Sequence, residues 1–198
     1  MRPDFIFIGL GNPGKQFEST RHNIGFLAAE HLAVELKSGA FIDRKKFLSS
    51  VAEANLKGMN LFIVKPLTYM NRSGEAVKKL VDFYKLDPSK QILVCCDDVD
   101  LPLGTGRLRK NGGPGTHNGL KSVVESLGEA FPRLRIGFGP QPKEKDLTSW
   151  VLSVMTPEEW KKRFTKLLTI IESERRASFS DFLRTSQRPS SNYFASKT

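Results

Sequence analysis

A chain of 198 residues, 39% hydrophobic and 26% charged, has the length and balance of one globular domain able to bury a core without staples. Its longest apolar runs, such as 92–96, fall far short of the roughly 20 residues a membrane-crossing helix needs, and its two cysteines, Cys95 and Cys96, are adjacent, which excludes a disulfide framework. With 31 Lys+Arg against 21 Asp+Glu the formal charge is +10, a balance that favours polyanionic partners.

The chain opens with Met1-Arg2-Pro3-Asp4 and runs straight into Phe5-Ile6-Phe7-Ile8, which reads as a buried strand. That leaves no room for a signal or transit segment and points to a cytoplasmic location. Gly9-Leu10-Gly11-Asn12-Pro13-Gly14 follows, and then Thr20-Arg21-His22-Asn23. The GxGxxG spacing suggests a dinucleotide fingerprint, but that fingerprint starts its helix within the glycines and places an acid about 20 residues further on. Here Pro13 and the polar run 15–19 delay the helix to about His22, and Glu30 and Glu35 sit inside a helical pattern. The glycine turn instead lets backbone and short polar side chains approach a ligand.

Ile24, Leu27, Ala28, His31, Leu32 and Leu36 recur at helical spacing, with His31 read as a packed residue on that stripe. Segments 49–57 and 60–65 flank Lys57-Gly58 as a hairpin. After Thr68-Tyr69-Met70-Asn71, the positions Val77, Leu80, Val81 and Tyr84 mark a helix with Ser73 as its expected N-cap. Residues 92–96 read as a continuous buried strand ending at Asp97-Asp98. An extended Arg107-Leu108-Arg109 follows, then a glycine-rich loop 112–119 holding Thr116-His117-Asn118. A helix through Leu120, Val123, Val124 and Leu127 and a strand over 133–138 come next.

Thr156-Pro157-Glu158-Glu159 is a capping box with proline at the first helical position. It opens a helix whose apolar face is Trp160, Phe164, Leu167, Leu168 and Ile171. Residues 161–198 carry nine basic and three acidic side chains, and 186–198 has the polar, serine-rich composition of a mobile tail. The expected organisation is a single domain over 1–185 and that tail. Helices interleaved with hairpin and buried strands imply an α/β fold, a three-layer domain with a mixed sheet flanked by helices. Three loops bearing Asn and His on one scaffold look like a site.

At these residues the chain resembles the bacterial peptidyl-tRNA hydrolases. The motifs GLGNPG (9–14), TRHNIG (20–25), KPLTYMNRSG (65–74), DDVDLPLG (97–104), GGPGTHNGLKS (112–122) and RLRIGFG (133–139) stand in that family's order over residues 5 to about 155. The resemblance implies the fold of that family and cleavage of the ester joining a peptide to tRNA, by a cytoplasmic monomer, without metal or cofactor. Such a reaction suits a base of near-neutral pKa, and His22 is the candidate. A carboxylate that fixes its tautomer supports it; Asp97 holds the matching position, with Asp98 and Asp100 as alternatives.

The resemblance further places Asn12 near the acylated amine, and Asn71 and Asn118 at the peptide carbonyl, the water and the terminal ribose, with Met70 and His117 in support. Phe17 and Tyr69 match positions that stack on the nucleobase of the 3′ CCA end or on the peptide. Arg107, Arg109 and Arg135 match basic positions for the tRNA 5′-phosphate at the acceptor stem. Period-two alternation turns each arginine pair of the two RLR runs to one face of its strand. Four positions depart from the family: Phe17 replaces the usual Tyr, Cys96 a frequent His, Asp98 a Glu and Thr116 a Gly. None removes a catalytic group. The alternative is a non-catalytic, hydrolase-like RNA-binding splicing cofactor, which would keep the same residues but present an exposed apolar patch to a partner.

Overall fold

The computed structural model describes residues 2–159 apart from Lys57 and Pro157. The apolar face Trp160, Phe164, Leu167, Leu168 and Ile171, the basic stretch 161–198 and the tail 186–198 lie outside the described residues. The first apolar run forms β1 (Phe5–Gly9), buried along its whole length because both sheet faces are covered. Phe5 and Phe7 enter one core and Ile6 and Ile8 the other, as strand alternation requires.

β1 sits at the centre of the sheet. Helix α1 (Ile24–Glu35) follows it, then β2 (Ile42–Arg44), an exposed edge strand that pairs antiparallel with β3 (Ser49–Leu56). β3 and β4 (Met59–Pro66) form the expected hairpin around Gly58, and β4 lies parallel to β1. Beyond helix α2 (Ser73–Tyr84) and the single turn α3 (Pro88–Gln91), β5 (Ile92–Pro102) pairs parallel with the other side of β1. The edge strand β6 (Gly106–Arg109) and helix α4 (Asn118–Leu127) precede β7 (Arg133–Gly139), which joins β5 in parallel and β6 antiparallel. The strand order is β2-β3-β4-β1-β5-β7-β6, and a short α5 (Leu147–Val151) follows. α1 covers one face with Ile24, Ala28, Ala29 and Leu32, while α2 and α4 cover the other with Val77, Leu80, Leu120 and Val123. The fold is the three-layer α/β domain with a mixed sheet. Cys95 and Cys96 enter opposite cores, and burial pushes both thiols up into an inert range.

Two local expectations change. Ser73 is the first residue of α2 and not its cap: the 3-10 turn Met70–Arg72 runs directly into the helix, so the Ser73 hydroxyl donates back to the Met70 carbonyl at 2.9 Å. β5 does not end at Cys96, because β7 continues alongside it and pairs Asp97 with Ile136 and Asp98 with Gly137. The capping box at Thr156 forms as expected, with Thr156 N–H donating to Glu159 and Glu159 N–H to Thr156 Oγ1.

Because β1, β4, β5 and β7 run parallel, the segments leaving β1 and β4 emerge at the carboxyl end of the strands, where Asp97 also lies. Open α/β sheets bind ligands at that end. The start of α1 presses against it. A Cβ on Gly9 would lie 2.0 Å from the Gly25 carbonyl oxygen, and one on Gly25 would lie 2.3 Å from the oxygen of Leu10 and 2.5 Å from that of Cys95. Backbone therefore packs on backbone, and His22 is drawn toward β5. Gly25→Ala is expected to cost about 1–3 kcal/mol, as overpacking does, and to lower activity by shifting the His22 turn. Urea denaturation checks this, and an unchanged midpoint contradicts the packing account.

Candidate active site

His22 lies in the 3-10 turn Arg21–Asn23 that leads into α1, and all three residues of that turn are buried. Its Nδ1 is 2.8 Å from Asp97 Oδ1, and His117 Nε2 is 2.9 Å from the same oxygen. Helix α4 sets the His117 tautomer. His117 is its N-cap, and Nδ1 accepts the Leu120 N–H at 3.1 Å, so the ring proton resides on Nε2 and is donated to Asp97. Ionised Asp97 likewise accepts from His22 Nδ1–H, which leaves His22 Nε2 as an unprotonated acceptor. Of the three candidate carboxylates Asp97 is the one that touches His22. Asp98 instead accepts from Arg135 and from the Asp100 N–H.

Burial opposes ionisation of Asp97, but the two imidazoles outweigh it and hold its carboxyl well below the usual range. For His22, burial lowers the pKa, yet the charge and hydrogen bond of Asp97 outweigh that and raise it above the ordinary 6.5. His22, Asp97 and His117 bring potential metal-ligand atoms within 4.8 Å of one another. The facing ring nitrogens and Asp97 Oδ1 already satisfy each other, and His117 Nδ1 serves the helix, so the set is an internally paired hydrogen-bond group.

Asn12 comes from the glycine turn after β1. Asn23 holds its main chain from both sides: Asn12 N–H donates to Asn23 Oδ1 at 2.8 Å and Asn23 Nδ2 donates to the Asn12 carbonyl at 2.9 Å. Asn12 Oδ1 accepts the N–H of buried Met70 at 2.8 Å, which assigns the amide orientation. The preceding Tyr69 has φ 61° and ψ 162°, a region essentially confined to glycine, where another residue stores on the order of 1–3 kcal/mol of strain. Tyr69 is 52% exposed, and its ring meets Phe17 edge-on, with centroids 6.5 Å apart. Asn71, in the 3-10 turn Met70–Arg72, and Asn118, the first residue of α4, are exposed where that turn packs against the helix.

The arginines divide. Arg107 faces Arg135, and Arg109 faces Arg133, across the β6–β7 ladder, so the expected shared face exists. Arg133, however, is 1% exposed and spends its guanidinium on the carbonyls of Gly112, Gly113, Glu129 and Phe131. Arg135 bonds to Asp98 at 3.1 Å and to the carbonyls of Gly113 and Pro114, which clamps the loop leading to His117. Arg107 and Arg109 are exposed.

The residue-by-residue reading overlooked Arg21 and Asn23. Arg21 is buried, pairs with both oxygens of Glu159, bonds to Ser153 and Val154, and stacks on Trp150 at 3.8 Å. Their signal in the sequence is a pair of strongly polar residues flanking a histidine beside an apolar helix start.

Residues 6–192 match the family described as peptidyl-tRNA hydrolase. The peptidyl-tRNA hydrolase of Chloroflexus aggregans is 47% identical over 156 residues, covering 78% of this chain and 82% of its own length. That of Aquifex aeolicus is 46% identical over 158 residues, 79% of this chain and 80% of its own. The crystal structure of peptidyl-tRNA hydrolase from Acinetobacter baumannii aligns with a TM-score of 0.85 at 32% identity, covering 94% of this chain and 93% of that one. The matched residues take in every loop that meets beside Asp97 at the carboxyl end of the strands, and the chain belongs to the peptidyl-tRNA hydrolase family.

Proposed function

We propose that this chain hydrolyses the ester between a peptide and the terminal ribose of tRNA, with His22 as general base. The observation that carries the reading is the His22 Nε2 left free as an acceptor by the Asp97 contact, on a chain of this family. That nitrogen takes a proton from water as the oxygen attacks the ester carbonyl. The imidazolium then returns the proton to the departing ribose oxygen, which yields free peptide and reusable tRNA. Asp97 orients the ring and stabilises the imidazolium, while His117 and Met70 support Asp97 and Asn12. The exposed amides of Asn71 and Asn118 bind the peptide carbonyl, the water and the ribose, and Phe17 and Tyr69 stack on the base of the CCA end or on the peptide. The scheme is complete without a metal or an organic cofactor. We place the enzyme in the cytoplasm as a monomer; among the described residues no helix is long and apolar enough to cross a membrane.

Loss of a positioned base typically costs roughly 10²–10⁴-fold, so His22→Ala is expected to be nearly inactive while still binding tRNA. In the wild type, activity rises with pH through a His22 pKa above 6.5, because the base works only when neutral. Asp97→Asn removes the charge that raises that pKa, so turnover falls and the acidic limb moves to lower pH. Asp98→Asn acts on the Arg135 contact and leaves the limb in place. A rate profile against pH separates them, and an unmoved limb in Asp97→Asn overturns the pairing.

Asn12 reads the blocked amine in this scheme. Met70 occupies its Oδ1 and leaves the Nδ2 hydrogens as the disengaged end, which suits a peptide carbonyl and disfavours a free ammonium. Asn12→Asp replaces those donors with an anionic oxygen, so the rate ratio of N-acetylated to free aminoacyl-tRNA is expected to fall. An unchanged ratio contradicts the role.

Arg107, Arg109 and the disengaged edge of Arg135 are proposed to hold the tRNA 5′-phosphate. Arg109→Ala is the cleaner test, since Arg135→Ala also loosens the loop before His117. Each lost phosphate contact is expected to reduce the log–log salt slope by about 1 and to raise KM, with little change in turnover of an acylated fragment lacking the phosphate. If removing the phosphate weakens Arg109→Ala as much as the wild type, Arg109 is not its partner.

A further inference from the structure

We infer that Tyr69 is a positioning residue for specificity through its backbone: its glycine-like conformation aims the Met70 N–H at Asn12 and thereby fixes which end of the Asn12 amide meets the substrate. This rests on the reading of Asn12 given above. An asparagine amide has two ends of nearly equal shape and opposite character, an acceptor oxygen and a donor NH2. A half-turn about its last bond exchanges them. Asn23 anchors only the main chain of Asn12, so among the described residues the Met70 N–H at 2.8 Å is the contact that tells the two ends apart.

That N–H belongs to the peptide unit joining Tyr69 to Met70, and its direction follows from the Tyr69 torsions, φ 61° and ψ 162°. The unit is held at both ends. The Tyr69 carbonyl accepts the Arg72 N–H at 3.2 Å, and the Met70 side chain is buried in the core shared with Leu10, Val77 and Leu120. Tyr69 is half exposed and its ring meets Phe17 edge-on, so close packing of the ring is not what imposes the backbone geometry. In an ordinary extended or helical conformation at residue 69 the peptide plane turns, and Met70 N–H leaves Asn12. The freed amide can then present its oxygen, an acceptor for a free ammonium. Strain at Tyr69 thus serves discrimination between blocked and free amines.

Glycine adopts this conformation without penalty, whereas a β-branched residue strongly resists it. The test compares Tyr69→Gly with Tyr69→Val, both of which lack the ring, and with Asn12→Asp. The readouts are the rate ratio on N-acetylated and free aminoacyl-tRNA and the hydrogen-exchange protection of the Met70 amide measured by NMR. Tyr69→Gly is expected to raise KM, keep the ratio and the Met70 protection, and melt at a higher temperature. Tyr69→Val is expected to lose Met70 protection and to lower the ratio by roughly tenfold, the equivalent of one hydrogen bond. Should the valine variant not fold, Tyr69→Ala carries the same expectation in weaker form. A ratio retained in the valine or alanine variant after Met70 protection is lost overturns the inference, as does a glycine variant that loses the ratio as fully as valine. If instead Asn12→Asp leaves the ratio unchanged, the reading of Asn12 fails. Met70 protection in the glycine and valine variants still decides whether the Tyr69 backbone holds the amide.

Discussion

A single carboxylate oxygen, Oδ1 of Asp97, receives hydrogen bonds from His22 and His117, and the geometry of the site follows from that convergence. A carboxylate that is 3% exposed would be costly to keep ionised without donors around it. The two imidazoles supply them from different parts of the chain, one from the turn before α1 and one from the start of α4. Their rings lie 4.9 Å apart and tilted by 45°. His117 cannot serve as a second base in this arrangement without giving up its helix cap, because its remaining nitrogen accepts the Leu120 N–H. The difference between two chemically identical side chains is therefore set by the Leu120 N–H, which occupies the second nitrogen of His117 and has no counterpart at His22 among the described residues.

Around that centre the polar groups come in pairs of holder and held. Asn23 holds the Asn12 main chain, Met70 N–H holds the Asn12 amide, and Arg135 holds the loop that carries His117. Arg21 ties the His22 turn to 153–159, where the Thr20–Val154 bridge and the Met155 N–H to Ser19 add backbone contacts. Each holder is buried or nearly so, and its bonds are strengthened by the low local dielectric. Groups fixed in advance need little reorganisation when charge develops during a reaction.

The excess positive charge is not one uniform resource. Arg133 is committed to carbonyl groups in the interior, and burial together with the nearby Arg135 lowers its pKa to about 10, still protonated at neutral pH. Arg135 is shared between Asp98 and the loop, while Arg107 and Arg109 stand on the edge strand. The same RLR pattern occurs in β6 and β7, yet the edge position leaves one pair exposed and the interior position consumes the other. Asp98 is the counter-charge of Arg135, which it meets at 3.1 Å, whereas Arg133 is satisfied by carbonyl groups alone.

The chain order of apolar runs and glycine turns was enough to establish the layered α/β class, the hairpin around Gly58 and the helix faces, because burial pattern and turn chemistry are local properties of the sequence. The motifs likewise singled out His22, Asp97, Asn12 and the three loops, which the fold brings to the carboxyl end of its parallel strands. Local reading stopped β5 at Cys96, since a pair of acids looks like a strand end; only the neighbouring β7 and the converging donors keep Asp97 and Asp98 within the sheet. It likewise offered Asp97, Asp98 and Asp100 as alternatives and treated the four arginines as two equal pairs. Choosing among them required knowing which strand lies beside which and what each side chain meets across the sheet. Residue type and spacing determined what chemistry this protein can do. The tertiary structure decided which of the identical groups come together and which are engaged elsewhere, because hydrogen bonds and burial act between residues that sequence distance does not relate.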